Sequence, residues 1–213
     1  MTQNEAVVHV IDDDEAIRES LAFLLESAEL AVRTYESANQ FLESLPHDVH
    51  GCVVTDIRMP GVSGIELLRQ LRTMGVALPV IVITGHADVP LAVEAMKSGA
   101  IDFIEKPFDD DAFLSTIRSA LRQHEKDARR EAEIGEIHAR LAALSGRERQ
   151  VLEGLVAGYP NKTIAFDLGI SARTVEIYRA NVMTKMQATS LSDLVRMALV
   201  AGVLSPGSEP THL

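Results

Sequence analysis

Short apolar runs alternate with stretches of helical period over the first part of the chain. Val7-Val8-His9-Val10-Ile11, Ala31–Tyr35, residues 51–55, Pro79–Thr84 and Ile101–Glu105 are each too short for a buried helix and are bounded by acidic, Gly or Pro residues. They predict five strands, of which Pro79–Thr84 is the clearest and Ala31–Tyr35 the weakest. Between them, apolar residues recur three and four positions apart. Ile17, Leu21, Leu24, Leu25 and Ala28 share one helix face, and Ser37 caps a short helix carrying Phe41, Leu42 and Leu45. Further helices are expected over 64–73, over 89–98 up to Gly99, and around Phe113, Leu114, Ile117 and Leu121, with Gly85-His86-Ala87-Asp88 as a loop. Strand and helix alternate five times, which predicts an α/β, doubly wound, five-stranded parallel sheet. Right-handed crossovers then give the order 2-1-3-4-5.

The period changes after residue 123. Residues 124–144 are charged, lack Pro and contain one Gly, so they read as a helical linker. Ile134, Ile137, Leu141 and Leu144 form a stripe suited to packing on a neighbour, or to seating the next domain. Ser145 and Glu148 make a capping box ahead of Val151, Leu152, Leu155 and Val156. Asn161 is expected to cap a helix over 162–168, Gly169 to stop it, and Ser171 to cap a long helix over 172–186. Helix, tight Gly turn, helix is a helix-turn-helix pattern, and Ser190 opens a last helix. The organisation is an α/β domain over 1–123, a linker over 124–144, an all-α helix-turn-helix domain over 145–204 and a disordered tail over 205–213.

Charge sharpens this division. Residues 1–123 carry a net −11, residues 124–144 carry −1 and residues 145–213 carry +1. The acidic front suits a divalent cation and repels nucleic acid, whereas the back does not repel it. The single cysteine, Cys52, sits inside an apolar strand and reads as a buried hydrophobe. No signal-peptide pattern or long apolar span is present, so a cytoplasmic protein without membrane attachment is expected.

One acidic position stands out. The apolar run Val53-Val54-Thr55 ends abruptly in Asp56, followed by the turn residues Pro60 and Gly61. Alone, Asp56 would pass for a turn or capping residue. In a 2-1-3-4-5 sheet, however, it meets Asp12 and Asp13 at the switch point, with Thr84 and Lys106 ending the next two strands. Converging carboxylates call for a hard cation, and few ligands with open positions suit Mg²⁺. An ammonium and a hydroxyl complete a set able to receive phosphate on a carboxylate.

Val-Ile-Asp-Asp-Asp-Glu at 10–15, Thr-Asp-Ile-Arg-Met-Pro at 55–60, Ile-Thr-Gly-His at 83–86 and Phe-Ile-Glu-Lys-Pro-Phe at 103–108 resemble the receiver domain of two-component response regulators. The resemblance implies that Asp56 is the phosphoacceptor. It also implies that Asp13 and Asp56 ligate Mg²⁺, that Asp12 acts through water, and that Arg58 offers its backbone carbonyl. Thr84 and Phe103 would form the switch pair, with Lys106 as the phosphate counter-charge. Without the resemblance, Phe103 reads as ordinary core. The back half, through Leu144–Glu148, Asn161–Ala165 and Ser171–Glu176, is similar to the DNA-binding domain of NarL/LuxR-type regulators. Ile83–Pro90 and Arg179–Met183 resemble a subgroup controlling nitrogen-fixation and microaerobic genes. That resemblance implies a haem-based, oxygen-sensing histidine kinase as partner, promoter DNA as target and RNA polymerase downstream.

Within the helix 172–186, Val175, Val182 and Met186 form the buried stripe, with Tyr178 or Arg179 on its flank. Arg173, Glu176, Ile177, Ala180 and Thr184 form the opposite face, which should enter the major groove beside Thr174. Lys162, Thr163, Arg179 and Lys185 are the expected phosphate contacts. Many family members carry lysines where this chain has Glu176 and Ala180, so base contacts do not transfer. A domain at net +1 binds DNA weakly, which favours a phosphorylation-dependent homodimer. An enzyme alternative is a Mg-dependent haloacid-dehalogenase-type phosphatase, whose Asp-x-Asp motif Asp12-Asp13-Asp14 mimics. That reading leaves Asp56 unexplained and puts Ala16 where Thr or Val is expected. A receiver serving only as a dimer scaffold is a second alternative, disfavoured by the complete acidic set.

Overall fold

The computed structural model describes residues 6–45, 49–85 and 89–203. His86, Ala87 and Asp88 of the expected loop, and the tail expected over 205–213, lie outside them. The chain forms two compact units, 1–127 and 128–213.

In the first unit, β1 (Val7–Ile11), β2 (Ala31–Tyr35), β3 (Gly51–Asp56), β4 (Val80–Thr84) and β5 (Asp102–Glu105) build one parallel sheet in the order β2-β1-β3-β4-β5. Helices α1 (Glu15–Ser27), α2 (Ala38–Ser44), α3 (Gly64–Thr73), α4 (Val89–Ser98) and α5 (Asp110–Ala142) follow the strands. Side chains alternate between the two faces of a strand, and the core divides accordingly. Val8, Val10, Cys52, Val54, Ile81 and Ile83 pack with Leu21 and Leu25 of α1 and Phe113 and Ile117 of α5. Ile11, Val53, Val80 and Val82 pack with Phe41 of α2, Leu67, Leu68 and Leu71 of α3, and Ala95 of α4. Because both faces are covered, every residue of β3 is buried, which is why its sequence reads as apolar up to Thr55 and Asp56 at its end.

Two glycines bring backbones together around β3. Gly51 has φ +136°, and a Cβ there would land on the Val7 carbonyl. Gly64 starts α3 so close to the strand end that a Cβ would strike the Asp56 carbonyl oxygen. Ser63 and Glu66 cap α3 reciprocally: the Ser63 side chain accepts from the Glu66 N–H, and Glu66 accepts from the Ser63 N–H at 2.9 Å.

The second unit contains α6 (Gly146–Val156), α7 (Asn161–Leu168), α8 (Ala172–Met186) and α9 (Leu191–Val200). Its core joins Val151, Leu152, Leu155, Ile164, Val175, Val182, Met186 and Leu194 with Ile137, Leu141 and Leu144. The division between units therefore falls at 127/128 rather than around a separate linker at 124–144. Most of the apolar stripe beyond residue 134 is core of the second unit, and α5 runs unbroken across the division because nothing between 110 and 142 interrupts it. The cap of α7 also differs from expectation. Pro160 occupies the N-cap with extended ψ of 150°, Asn161 is the first helical residue, and no side chain caps the helix. The Pro160 carbonyl takes the Thr163 and Ile164 N–H groups, so the helix starts one residue earlier than expected.

Candidate functional site

The register sets the acidic site. Ile11 pairs with Thr55, Asp56 with Ile83 and Thr84 with Glu105, so Asp12, Asp56, Thr84 and Lys106 end adjacent strands at one edge of the sheet. Asp12 is 2% exposed and Asp56 8%. The Lys106 ammonium donates to Asp12 Oδ2 at 2.8 Å and to Asp56 Oδ1 at 3.2 Å. Asp56 Oδ2 accepts the Arg58 N–H at 2.6 Å, and Asp12 Oδ1 accepts the Asp14 N–H at 3.0 Å. Arg18 of α1 donates to the Asp12 carbonyl at 2.8 Å, fixing the loop from behind. No local pattern announces that contact, whereas Ser63-x-x-Glu66 is a sequence signal for the start of α3.

Burial pushes the Asp56 carboxyl above its ordinary range; the Arg58 N–H and Lys106 partly offset this, and Asp12 adds to it. One ammonium serves two carboxylates, leaving the pair with excess negative charge. A partly desolvated carboxylate beside an ammonium is a competent nucleophile toward an electrophile with anionic oxygens. Asp13 and Arg58 are exposed at the mouth. Among the described residues, no three carboxylate, imidazole or thiol groups converge into a metal cage. Asp12 and Asp56 supply two buried carboxylates with the exposed Asp13 beside them, an open oxygen-rich set whose chemistry fits a hard cation. Thr84 is buried at the end of β4, and its carbonyl accepts the Lys106 N–H at 2.8 Å. Phe103 is half-buried, pairs in register with Val82 and packs on the same core cluster, so it and Thr84 lie on one sheet face. A cavity of about 610 Å³ lies at the other end of the strands, near Pro79, Asp102 and Ser119, away from this chemistry.

In the second unit, Gly169 closes α7 in the left-handed conformation at φ 63°, and Ser171 caps α8. Val175, Val182 and Met186 are fully buried, turning Arg173, Glu176, Ile177, Ala180 and Thr184 outward. Lys162 and Thr163 are exposed on the first turn of α7, and Arg179 is half-buried. Two expected contacts are already engaged. The Thr174 hydroxyl is 2.7 Å from Ser171 Oγ, and Lys185 donates to Glu148 at 2.7 Å and to the Ala143 carbonyl at 3.3 Å.

The response regulator receiver domain family matches residues 8–118, and the luxR family of bacterial regulatory proteins matches residues 142–198. The chain belongs to the two-component response regulators with a LuxR-type DNA-binding domain. It is 62% identical over 205 residues to the transcriptional regulatory protein FixJ of Azorhizobium caulinodans, covering 96% of each chain. It is 57% identical to FixJ of Bradyrhizobium diazoefficiens, covering 93% of this chain and 97% of that one. Among solved structures it resembles the response regulator StyR, with TM-score 0.83 and 41% identity, covering 92% of this chain and 98% of that one. Full-length FixJ from B. japonicum gives TM-score 0.60 and 56% identity, covering 95% and 100%. These relatives are regulators, so the response regulator is not an enzyme of the phosphatase type. The haloacid-dehalogenase reading fails structurally as well. Asp109 receives the Ala112 N–H at 2.8 Å at the start of α5, so the late acidic residues open a helix instead of ending another strand at the site. The receiver implies a histidine kinase partner, and the LuxR-type domain implies binding to DNA. No helix among the described residues is long and apolar enough to cross a membrane.

Proposed function

We propose that Asp56 takes a phosphoryl group from a histidine kinase and that the phosphorylated protein dimerises to activate transcription from promoter DNA. The observation that carries this reading is the Lys106 ammonium held between Asp12 and Asp56, at 2.8 and 3.2 Å. An Asp56 oxygen attacks phosphorus, the P–N bond of the phosphohistidine breaks, and the imidazole leaves with the electron pair. Lys106 then faces a phosphoryl oxygen, and the Thr84 hydroxyl donates to another as Phe103 follows it across the sheet face. Asp12, Asp13, Asp56 and the Arg58 carbonyl would hold Mg²⁺, which when bound supplies positive charge to the phosphoryl oxygens.

The face of α4 and β5 supports dimerisation, because Val89, Val93 and Met96 are 77%, 44% and 48% exposed. Lys162, Thr163 and Arg179 serve as phosphate contacts, while Arg173, Thr174, Glu176, Ile177 and Ala180 line the base-reading side of α8. Lys185 joins the phosphate contacts only by leaving Glu148. The resemblance of residues 83–90 and 179–183 to regulators of nitrogen-fixation and microaerobic genes supports a cytoplasmic role in such genes, with a FixL-like oxygen-sensing kinase upstream and RNA polymerase as the downstream partner. The test is labelling by a small phosphodonor with and without a metal chelator. Asp56→Ala is expected to abolish labelling, while Thr84→Ala is expected to be labelled yet lose phosphate-dependent dimerisation. Labelling that survives both Asp56→Ala and chelation would overturn the assignment.

A further inference from the structure

An acidic side chain at the centre of a face meant for DNA needs explaining. Glu176 is the fifth residue of α8, in the helix half from which a recognition helix contacts base edges. It lies one turn from Arg173 and one turn from Ala180, and all three are exposed. Residues 145–213 are only +1 overall, so a carboxylate here opposes phosphate binding where little positive charge is available. It takes part in no hydrogen bond or ion pair among the described residues, unlike Glu133, Glu136 and Glu148, which are paired to Arg196, Arg140 and Lys185. Within the second unit, then, its carboxylate stays exposed and unbonded among the described residues.

We infer that Glu176 is a specificity-determining residue that accepts a hydrogen bond from the 4-amino group of one cytosine in each half-site. The inference rests on the reading of α8 as the helix that enters the major groove. A carboxylate is acceptor-only, and cytosine offers an exocyclic donor in that groove with no acceptor of its own beside it. Adenine also offers a donor, but its N7 acceptor sits next to it and repels a carboxylate. Guanine and thymine present acceptors to the groove and are rejected. Ala180, one turn on, keeps the neighbouring position small, and Ile177 offers apolar surface rather than a competing charge. Glu176 therefore lowers affinity for every sequence through its charge and restores it only where cytosine is correctly placed.

The test is selection of bound sequences from random DNA by the phosphorylated full-length protein, beside Glu176→Ala and Glu176→Gln. Glu176 is exposed and unbonded, so both variants are expected to keep the fold, checked by helical content. The unmodified protein should prefer cytosine at one position of each half-site by roughly tenfold over the other bases. Glu176→Ala should lose that preference alone while binding non-specific DNA more tightly. Glu176→Gln, with a donor beside its acceptor, should move the preference to adenine. An unchanged cytosine preference in both variants, with affinity for all sequences shifted equally, would overturn the inference. Arg173→Ala and Ile177→Ala separate this failure from failure of the α8 reading. If they change the selected sequence and the Glu176 variants do not, only the inference falls. If none of the four alters it, both fall.

Discussion

Asp56 and Glu148 are both buried carboxylates bonded to a lysine, yet they respond to pH in opposite senses. At Asp56, burial outweighs the Arg58 N–H and Lys106, so the folded protein favours the protonated form relative to the unfolded chain. Its stabilising contribution is present below the ordinary value of 3.8 and is lost as pH rises through the raised value in the folded state. At neutral pH the ionised group therefore works against folding. Asp56→Asn is expected to raise the melting temperature by a few degrees at neutral pH, with the gain vanishing in acid; thermal unfolding at the two conditions checks this. At Glu148, the bond from Lys185 is the larger effect and the Ser145 N–H the next, and together they hold the carboxyl down at about 2. That contribution is present above 4.5 and disappears as pH falls from 4.5 toward 2. Glu148→Gln should flatten the acid limb of unfolding for residues 128–213, and Lys185→Ala should flatten it in part. An acid limb unchanged in Glu148→Gln would show that the bond to Lys185 contributes no linkage.

At the scale of elements, α5 matters most because it serves two cores. Phe113 and Ile117 fill the sheet side of the first unit, while Ile137, Leu141 and Leu144 at and just beyond its other end fill the second. A fragment beginning at residue 145 loses these three side chains, each contributing about 1.5–3 kcal/mol when buried. The fragment 128–213 is therefore expected to have a clearly higher denaturation midpoint than 145–213, measured by urea titration of helical signal. The strands were legible because burial on both faces leaves β3 and β4 apolar up to Thr55, Asp56 and Thr84 at their ends, and the helices because each apolar stripe faces a core. The strand-end site was legible for the same reason, since topology alone places Asp12, Asp56, Thr84 and Lys106 on one edge. What stayed hidden were contacts between residues far apart in sequence: Arg18 beneath Asp12, Lys185 on Glu148, and Arg118 donating to the Ala28 carbonyl at 3.4 Å. Apolar period says which face is buried, but not where a long flexible cation will settle. The start of α7 differs from its expected position because Asn161 has the chemistry of a cap, while Pro160 takes the N-cap and leaves the helix without a side-chain cap.

For the whole molecule, charge and apolar surface divide the work. A front segment at −11 cannot assist DNA binding directly, and residues 145–213 at +1 bind phosphates weakly. Two copies brought together turn the second contact into an intramolecular one and raise affinity without any new contact. The stripe of Ile137, Leu141 and Leu144 is consumed in the core of its own unit, so it cannot serve as the seam between copies. The exposed side chains of α4, Val89, Val93 and Met96, offer apolar surface on the receiver for that role. Phosphorylation can shift a monomer–dimer equilibrium only by stabilising one arrangement of this face over another. A carboxylate placed at Val93, away from the acidic site, should therefore uncouple the two events. Val93→Asp is expected to be labelled as well as the unmodified protein, to stay monomeric when phosphorylated, and to lose about ten- to a hundredfold in affinity for promoter DNA. Its affinity should also fall about half as steeply with salt, because one DNA-binding unit neutralises half as many phosphates as two. Sedimentation of the labelled proteins, beside DNA titrations at several salt concentrations, tests this directly. A phosphorylated Val93→Asp protein that is dimeric, with an unaltered salt slope, would move the interface to another face of the receiver.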